Sequence, residues 1–95
     1  MLEHYGNRLM CLHIHDNYGV TQPGNIDYRD DIHLLPFDGV LDWEWFAAQL
    51  NRYHYQGPVT LEVSDQNKSE YRAMSVKKYL EAAYACGEKI REMLL

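Results

Sequence analysis

The sequence has few cysteines and no long hydrophobic run. Its 95 residues include two cysteines, Cys11 and Cys86, which lie far apart and outside any CxxC pattern. This spacing excludes a disulfide-rich secreted scaffold and favours reduced thiols. No stretch approaches the roughly 18 apolar residues of a transmembrane helix, and the N-terminal residues lack the basic-then-apolar order of a signal peptide. We therefore expect a cytoplasmic protein with no membrane partner.

Basic residues are also scarce. Nine Lys and Arg face 14 Asp and Glu, which gives a formal net charge of -5. A protein that binds phosphate backbones needs the opposite balance, so we expect no nucleic-acid partner. The acidic residues are concentrated in positions 16–44, where seven of them accompany Arg29 as the only basic residue. That segment is either a solvated loop or a cation site.

Two short apolar runs are present, and both end in ionisable residues. Residues 9–15 read LMCLHIH and residues 58–63 read PVTLEV, and each is followed by a cluster of turn-forming residues. Continuous apolar runs of this length are typical of buried parallel strands. A polar loop over residues 17–41 follows the first run, and loops of this length usually carry function or are disordered.

Two helices are expected after the strands, over residues 43–53 and 76–94. Asp42 and Ser75 are suitable N-caps for them. We expect one face of the second helix to be buried, consisting of Val76, Leu80, Ala83, Gly87, Ile90 and Leu94. The order strand, loop, helix, strand, loop, helix predicts an α/β fold made of one βαβα unit.

Candidate functional residues lie at the carboxyl ends of both predicted strands, where parallel α/β folds gather their active sites. His13 and His15 are two residues apart and share a strand face. Glu62 interrupts the second apolar run, and a buried carboxylate without a partner would cost several kcal/mol. Such a mixed nitrogen and oxygen set suits Mn, Zn, Co or Mg. Alternatively, the histidines are hydrogen-bonded strand-end residues and Glu62 pairs with an arginine.

The long loop contains a second candidate group. Asp31 and His33 form a D-x-H pair in the segment RDDIHLLPFDG. Such a pair could bind a cation or the hydroxyl groups of a substrate, and long loops often hold such residues. The alternative is an acidic loop that is simply solvated.

The ordered set LHIHDNYG, DDIHLLPFDGVLDW and YHYQGPVTLEV resembles the C-terminal end of the xylose isomerase-like TIM barrel superfamily, which includes sugar phosphate isomerases and epimerases. The resemblance covers about residues 6–95. It implies that residues 1–95 are a partial domain, the C-terminal part of a TIM (β/α)8 barrel, containing strands seven and eight with their helices.

The resemblance also implies roles for the candidate residues. His13 would be the metal-binding histidine of strand seven, and Glu62 the metal-binding glutamate of strand eight, which can also act in proton transfer. His15, Asp31 and His33 would contact the substrate or support the ligands. The implied reaction is isomerisation or epimerisation of a sugar or sugar phosphate through an enediolate, with a divalent metal as cofactor.

Several family features are missing from the sequence. Two further metal ligands, a Glu and an Asp from strands five and six, cannot come from these residues. Tyr18 and Gly19 stand where many ketose epimerases have an arginine, and residues 36–39 replace the family's Pro-Gly. We therefore expect no activity from this chain by itself, unless upstream sequence or another chain supplies the missing part of the barrel.

Two other functions stay open. In an apurinic endonuclease-like zinc hydrolase, the metal ligands would be His13, Asp31, His33 and Glu62, although the acidic loop would repel DNA. In a non-catalytic remnant, the open strand edges would favour a homo-oligomer or association with a partner.

Overall fold

The structure, a computed structural model, describes residues 8–27 and 30–95. Over these residues the chain forms a small α/β fold with two strands, which pair in parallel, and three helices. In chain order the elements are β1 (Leu12–Ile14), α1 (Trp43–Arg52), β2 (Val59–Leu61), α2 (Ser69–Arg72) and α3 (Val76–Met93). The predicted α/β class is confirmed.

Both predicted helix starts are confirmed by their capping contacts. The Asp42 carboxylate accepts a hydrogen bond from Trp45 N at 2.9 Å, and the Ser75 hydroxyl accepts one from Lys78 N at 3.2 Å. Each side chain thereby satisfies a backbone N–H group that has no partner within its helix.

The strands are shorter than predicted, since β1 covers only residues 12–14 of the run 9–15 and β2 only residues 59–61 of the run 58–63. β1 ends at Ile14, although Ile14 O still accepts from Glu62 N at 2.8 Å. Asp16 then pairs with Leu34 of the long loop in an antiparallel bridge. The residues that end β1 therefore hold the loop instead of extending the sheet.

One face of the sheet packs under the helices, and the other is exposed. Ile14 joins Trp43 of α1 and Ile90 of α3 in a buried cluster. Partly buried residues from both strands pack against this cluster: Leu12, Val59 and Leu61. His13 and Thr60, which lie opposite each other in the register, are exposed. Because side chains alternate along a strand, the exposed face carries the polar residues.

The predicted buried face of α3 is partly wrong. Ala83 and Ile90 are buried as expected, but Val76 is 69% exposed and Leu80 is 59% exposed. Tyr79 is buried in their place, because α3 turns it onto the ring of Tyr71 in α2. Val76 and Leu80 lie on the neighbouring face of the helix, which the described residues leave largely exposed.

A second buried cluster lies beneath the long loop. Leu34 and Leu35 are almost fully buried against side chains from α2 and α3: Tyr71, Tyr79 and Ala83. Leu35 N donates to the Tyr71 hydroxyl at 3.1 Å. The C-terminal part of the loop is therefore packed against the helices.

Among the described residues, no helix is both long enough and apolar enough to span a membrane.

Candidate functional site

The bridge between Asp16 and Leu34 brings two histidines together. Asp16 N donates to Leu34 O at 2.8 Å, and Leu34 N donates back to Asp16 O at 3.1 Å. His15 and His33 each precede a member of this bridge, and their ring centroids lie 4.1 Å apart. One histidine follows β1 and the other belongs to the loop, so the bridge joins the two candidate groups that the sequence contains.

His33 is also attached to the end of β2. Its ring nitrogen Nδ1 lies 2.8 Å from Glu62 O, and its own carbonyl accepts from Ser64 N at 3.0 Å. The backbone of His33 has φ 51°, in the left-handed region. For a residue other than glycine, this conformation costs about 1–2 kcal/mol. The two hydrogen bonds offset this cost and fix the ring beside Glu62.

Three side chains meet at the ends of the strands with the composition of a metal site. His15, His33 and Glu62 each offer one ligand atom, and these atoms lie within 4.8 Å of one another. Two imidazole nitrogens and one carboxylate oxygen suit Zn, Mn or Co. With Nδ1–H donating to the Glu62 carbonyl, His33 would bind through Nε2, as expected when the second nitrogen of a ligand histidine is held by a carbonyl. The residues therefore fit a divalent ion.

Asp31 contacts Nε2 of His33, the nitrogen through which this histidine would bind the ion. Its Oδ1 lies 2.9 Å from His33 Nε2, and its side chain is 75% exposed. Hydrogen bonding to Glu62 and then to Asp31 raises the pKa of His33, although burial opposes this shift. A proton and a metal ion would compete for Nε2, since neither can share the lone pair with the other.

His13 lies beside the group of three and not within it. Its Nδ1 is 3.9 Å from Glu62 Oε2, and both side chains are more than half exposed. The metal-ligand role that the resemblance implies for His13 therefore stays a prediction. His15 and His33, for which it implies supporting roles, belong with Glu62 to the set that could hold an ion.

The sequence interpretation missed the importance of Asp16. This carboxylate is fully buried and accepts a hydrogen bond from Trp43 Nε1, which lies 27 positions further along the chain. In the sequence, Asp16 precedes Asn17 and belongs to a cluster of turn-forming residues. No local pattern could have indicated such a distant donor.

Comparison with known proteins gives two matches. The sequence model of the xylose isomerase-like TIM barrel family matches residues 1–90. An uncharacterized protein of Sinorhizobium fredii is 34% identical over 94 residues, which are 99% of this chain and 26% of that protein. The chain thus spans about a quarter of the curated relative that it matches. No solved structure matches the chain significantly.

Proposed function

The chain belongs to the xylose isomerase-like TIM barrel family, and on this premise we propose that it is the C-terminal part of a divalent-metal-dependent sugar or sugar phosphate isomerase or epimerase. In this proposal β1 and β2 are barrel strands seven and eight. The observation that carries the proposal is the convergence of His15, His33 and Glu62 at the strand ends. Active sites of TIM barrels lie at this end of the strands.

We assign the ion to His15, His33 and Glu62. A bound divalent ion would stabilise the negative charge that develops on a substrate oxygen during proton transfer. The protein's own contribution is to hold the ligands. His15 is held by the bridge that follows it, and His33 by its hydrogen bond to Glu62 O.

Glu62 is the proposed proton-transfer group. Its side chain is 54% exposed, so a substrate can reach the carboxylate. Its backbone is fixed on both sides, since Glu62 N donates to Ile14 O and Glu62 O contacts the His33 ring. A carboxylate on a fixed backbone can take a proton from a substrate carbon and return it. His13 Nδ1 lies 3.9 Å from this carboxylate, which is beyond hydrogen-bond distance.

The remainder of the barrel is part of the proposal. A complete barrel has roughly 250 residues, and the chain matches a quarter of its relative. Two exposed apolar side chains of α3, Leu80 and Tyr84, line a groove of about 520 Å³ that runs between β2 and α3, and Val76 of the same helix is also exposed. We expect other barrel units to cover this surface and to supply the further ligands. Without them, we expect the chain to be inactive.

A second candidate function is the apurinic endonuclease-like zinc hydrolase. The contact between Asp31 and His33 Nε2 favours it, because that reaction class uses both members of the D-x-H pair as ligands. The local charge of residues 16–44 weighs against it, since these acidic residues would repel a DNA strand. Cleavage of abasic DNA by the zinc-loaded chain would favour the hydrolase. Absence of cleavage, with sugar isomerisation restored by the rest of the barrel, would exclude it.

Metal titration of single variants tests the proposed site. We expect the chain to bind Co²⁺ or Zn²⁺ with Kd on the order of millimolar, as in weak cation sites. His15→Ala, His33→Ala and Glu62→Gln should each weaken binding by at least about tenfold. His54→Asn is the matched control, because His54 is exposed, lies outside the site and has φ 55°, which asparagine tolerates. Equal affinity in all four variants would contradict the site.

A further inference from the structure

Beside the candidate site, the side chain of Asp16 accepts four hydrogen bonds. Its Oδ1 accepts from Asn17 N at 2.8 Å and from Leu41 N at 3.1 Å. Its Oδ2 accepts from Phe37 N at 3.0 Å and from Trp43 Nε1 at 2.9 Å. The four donors come from β1's own extension, from the end of the long loop and from the start of α1. One buried carboxylate therefore joins three segments of the chain.

Gly39 shows how closely the loop approaches this carboxylate. A Cβ atom at position 39 would lie 2.3 Å from Asp16 Oδ1 and 2.1 Å from Asn17 O. Both distances are far inside van der Waals contact, so the turn can lie over Asp16 only because residue 39 has no side chain. Val40 N, next in the chain, donates to Asn17 O at 2.9 Å. The loop is thus fitted to the carboxylate at atomic distance.

Asp16 also forms the bridge that brings the two histidines together. Asp16 follows His15 directly, and its backbone pairs with Leu34, which follows His33. Its side chain then holds Phe37, three residues beyond Leu34. The segment that carries His33 is therefore held to β1 by both the backbone and the side chain of Asp16.

We propose that Asp16 is a positioning residue of the metal site, acting through His15 and His33. This inference rests on the proposed function. A loop residue such as His33 reaches a ligand geometry reproducibly only when surrounding bonds restrain it. Charge-assisted hydrogen bonds from four N–H groups supply that restraint. Asp16 would bind no ion itself, because both of its oxygens are already engaged.

Asp16→Asn tests the inference, since it preserves the shape of the side chain and replaces one acceptor oxygen by an NH₂ group that faces an N–H donor. We expect the affinity for Co²⁺ to fall about 10–100-fold. We also expect the visible spectrum of bound Co²⁺ to change, because the two histidines no longer meet in the same geometry. If Asp16 were only a structural residue, Asp16→Asn would lower stability but would change neither the Co²⁺ affinity nor the Co²⁺ spectrum of the folded protein.

Tyr71→Phe is the matched control. It removes the hydroxyl that Leu35 N and Asp38 contact, and so loosens the same loop without touching the hydrogen bonds of Asp16. Both variants are measured at a temperature where circular dichroism shows each to be folded. We expect Tyr71→Phe to keep the wild-type Co²⁺ spectrum and affinity. If Asp16→Asn behaves like Tyr71→Phe, the positioning role is wrong.

Trp43→Phe decides the question if Asp16→Asn does not fold. It keeps an aromatic ring at the position and removes one of the four donors, so it should give a smaller loss of Co²⁺ affinity in the same direction. Wild-type affinity in folded Trp43→Phe would then overturn the inference. His15→Ala, measured in parallel, distinguishes failure of the proposed metal site from failure of the positioning role of Asp16. If His15→Ala binds Co²⁺ as tightly as wild type, the proposed metal site is wrong. If His15→Ala loses affinity while Asp16→Asn keeps it, only the positioning role is wrong.

Discussion

The hydroxyl of Tyr71 donates to Asp38 Oδ2 at 2.5 Å. Tyr71 is 2% exposed, and its hydroxyl also accepts from Leu35 N. The pair joins α2 to the long loop and closes the core beneath it. Burial, and then the bond to Asp38, raises the pKa of Tyr71 well above its ordinary value of 10.

This raised pKa predicts a loss of stability in alkali. A group whose pKa is higher in the folded state contributes stability that is complete below its unfolded pKa and is lost as the pH rises above it. The contribution of Tyr71 should therefore be complete below about pH 10 and decline above it. We expect Tyr71→Phe to be about 1–2 kcal/mol less stable than wild type at pH 8. The difference in unfolding free energy between wild type and Tyr71→Phe, measured by urea unfolding, should be smaller at pH 11 than at pH 8.

Tyr79→Phe provides the comparison for that experiment. Burial raises the pKa of Tyr79 as well, but its hydroxyl has no hydrogen-bond partner among the described residues. Its replacement by phenylalanine should therefore lower stability at pH 8 much less than Tyr71→Phe does. A Tyr71→Phe difference that stays constant from pH 8 to pH 11 would contradict the prediction.

Gly87→Ala should stabilise the protein. Gly87 lies inside α3, where glycine costs about 1 kcal/mol relative to alanine. A Cβ atom there would meet Leu61 Cδ1 at 3.7 Å, which is ordinary van der Waals contact. We expect about 0.5–1 kcal/mol of added stability and a rise in Tm of several degrees. Gly57→Ala is the contrasting variant and should destabilise, since its Cβ would lie 2.3 Å from Met10 O. Equal effects of the two variants would refute the argument.

Asn51 links the ends of α1 and α3. Its Nδ2 donates to Met93 O, and its Oδ1 accepts from Leu95 N, both at 2.9 Å. Asn51→Ala should cost about 1–2 kcal/mol, since two hydrogen bonds are lost. It should also speed amide exchange at Leu95, whose N–H loses its acceptor. The exposed Gln56→Ala serves as control and should change neither quantity. Unaltered exchange at Leu95 would mean that solvent already competes for this contact.

Local sequence patterns predicted much of the fold. Asp42 and Ser75 were identifiable as N-caps because capping depends on residues within one turn of the helix. Trp43 and Trp45 are two apart in α1 and therefore face different ways, and Trp43 is buried while Trp45 is exposed. These features follow from short-range geometry alone.

The sequence could not decide which histidine would join Glu62. His13 and His15 are two residues apart in the predicted strand, so strand periodicity treats them alike. The choice depends on the bridge from Asp16 to Leu34, which brings His33 to the ring of His15. A contact across a long loop leaves no periodic signal in the sequence. The buried face of α3 was misjudged for a similar reason, since the position of Tyr71 decides that Tyr79 packs inward.

The Glu62 side chain allows metal binding to be separated from folding. It is 54% exposed, so Glu62→Gln should change the free energy of unfolding by no more than about 0.5 kcal/mol in the absence of metal. An ion that binds only the folded chain adds RT ln(1 + [M]/Kd), which is about 1.4 kcal/mol at ten times Kd. Wild type should therefore gain this amount when Co²⁺ is added and lose it with a chelator, as measured by urea unfolding. Glu62→Gln, whose Kd should be at least about tenfold higher, should gain no more than about 0.4 kcal/mol at the same Co²⁺ concentration. An equal gain in both proteins would mean that the ion binds elsewhere, and the acidic residues of segment 16–44 would then be the first place to search.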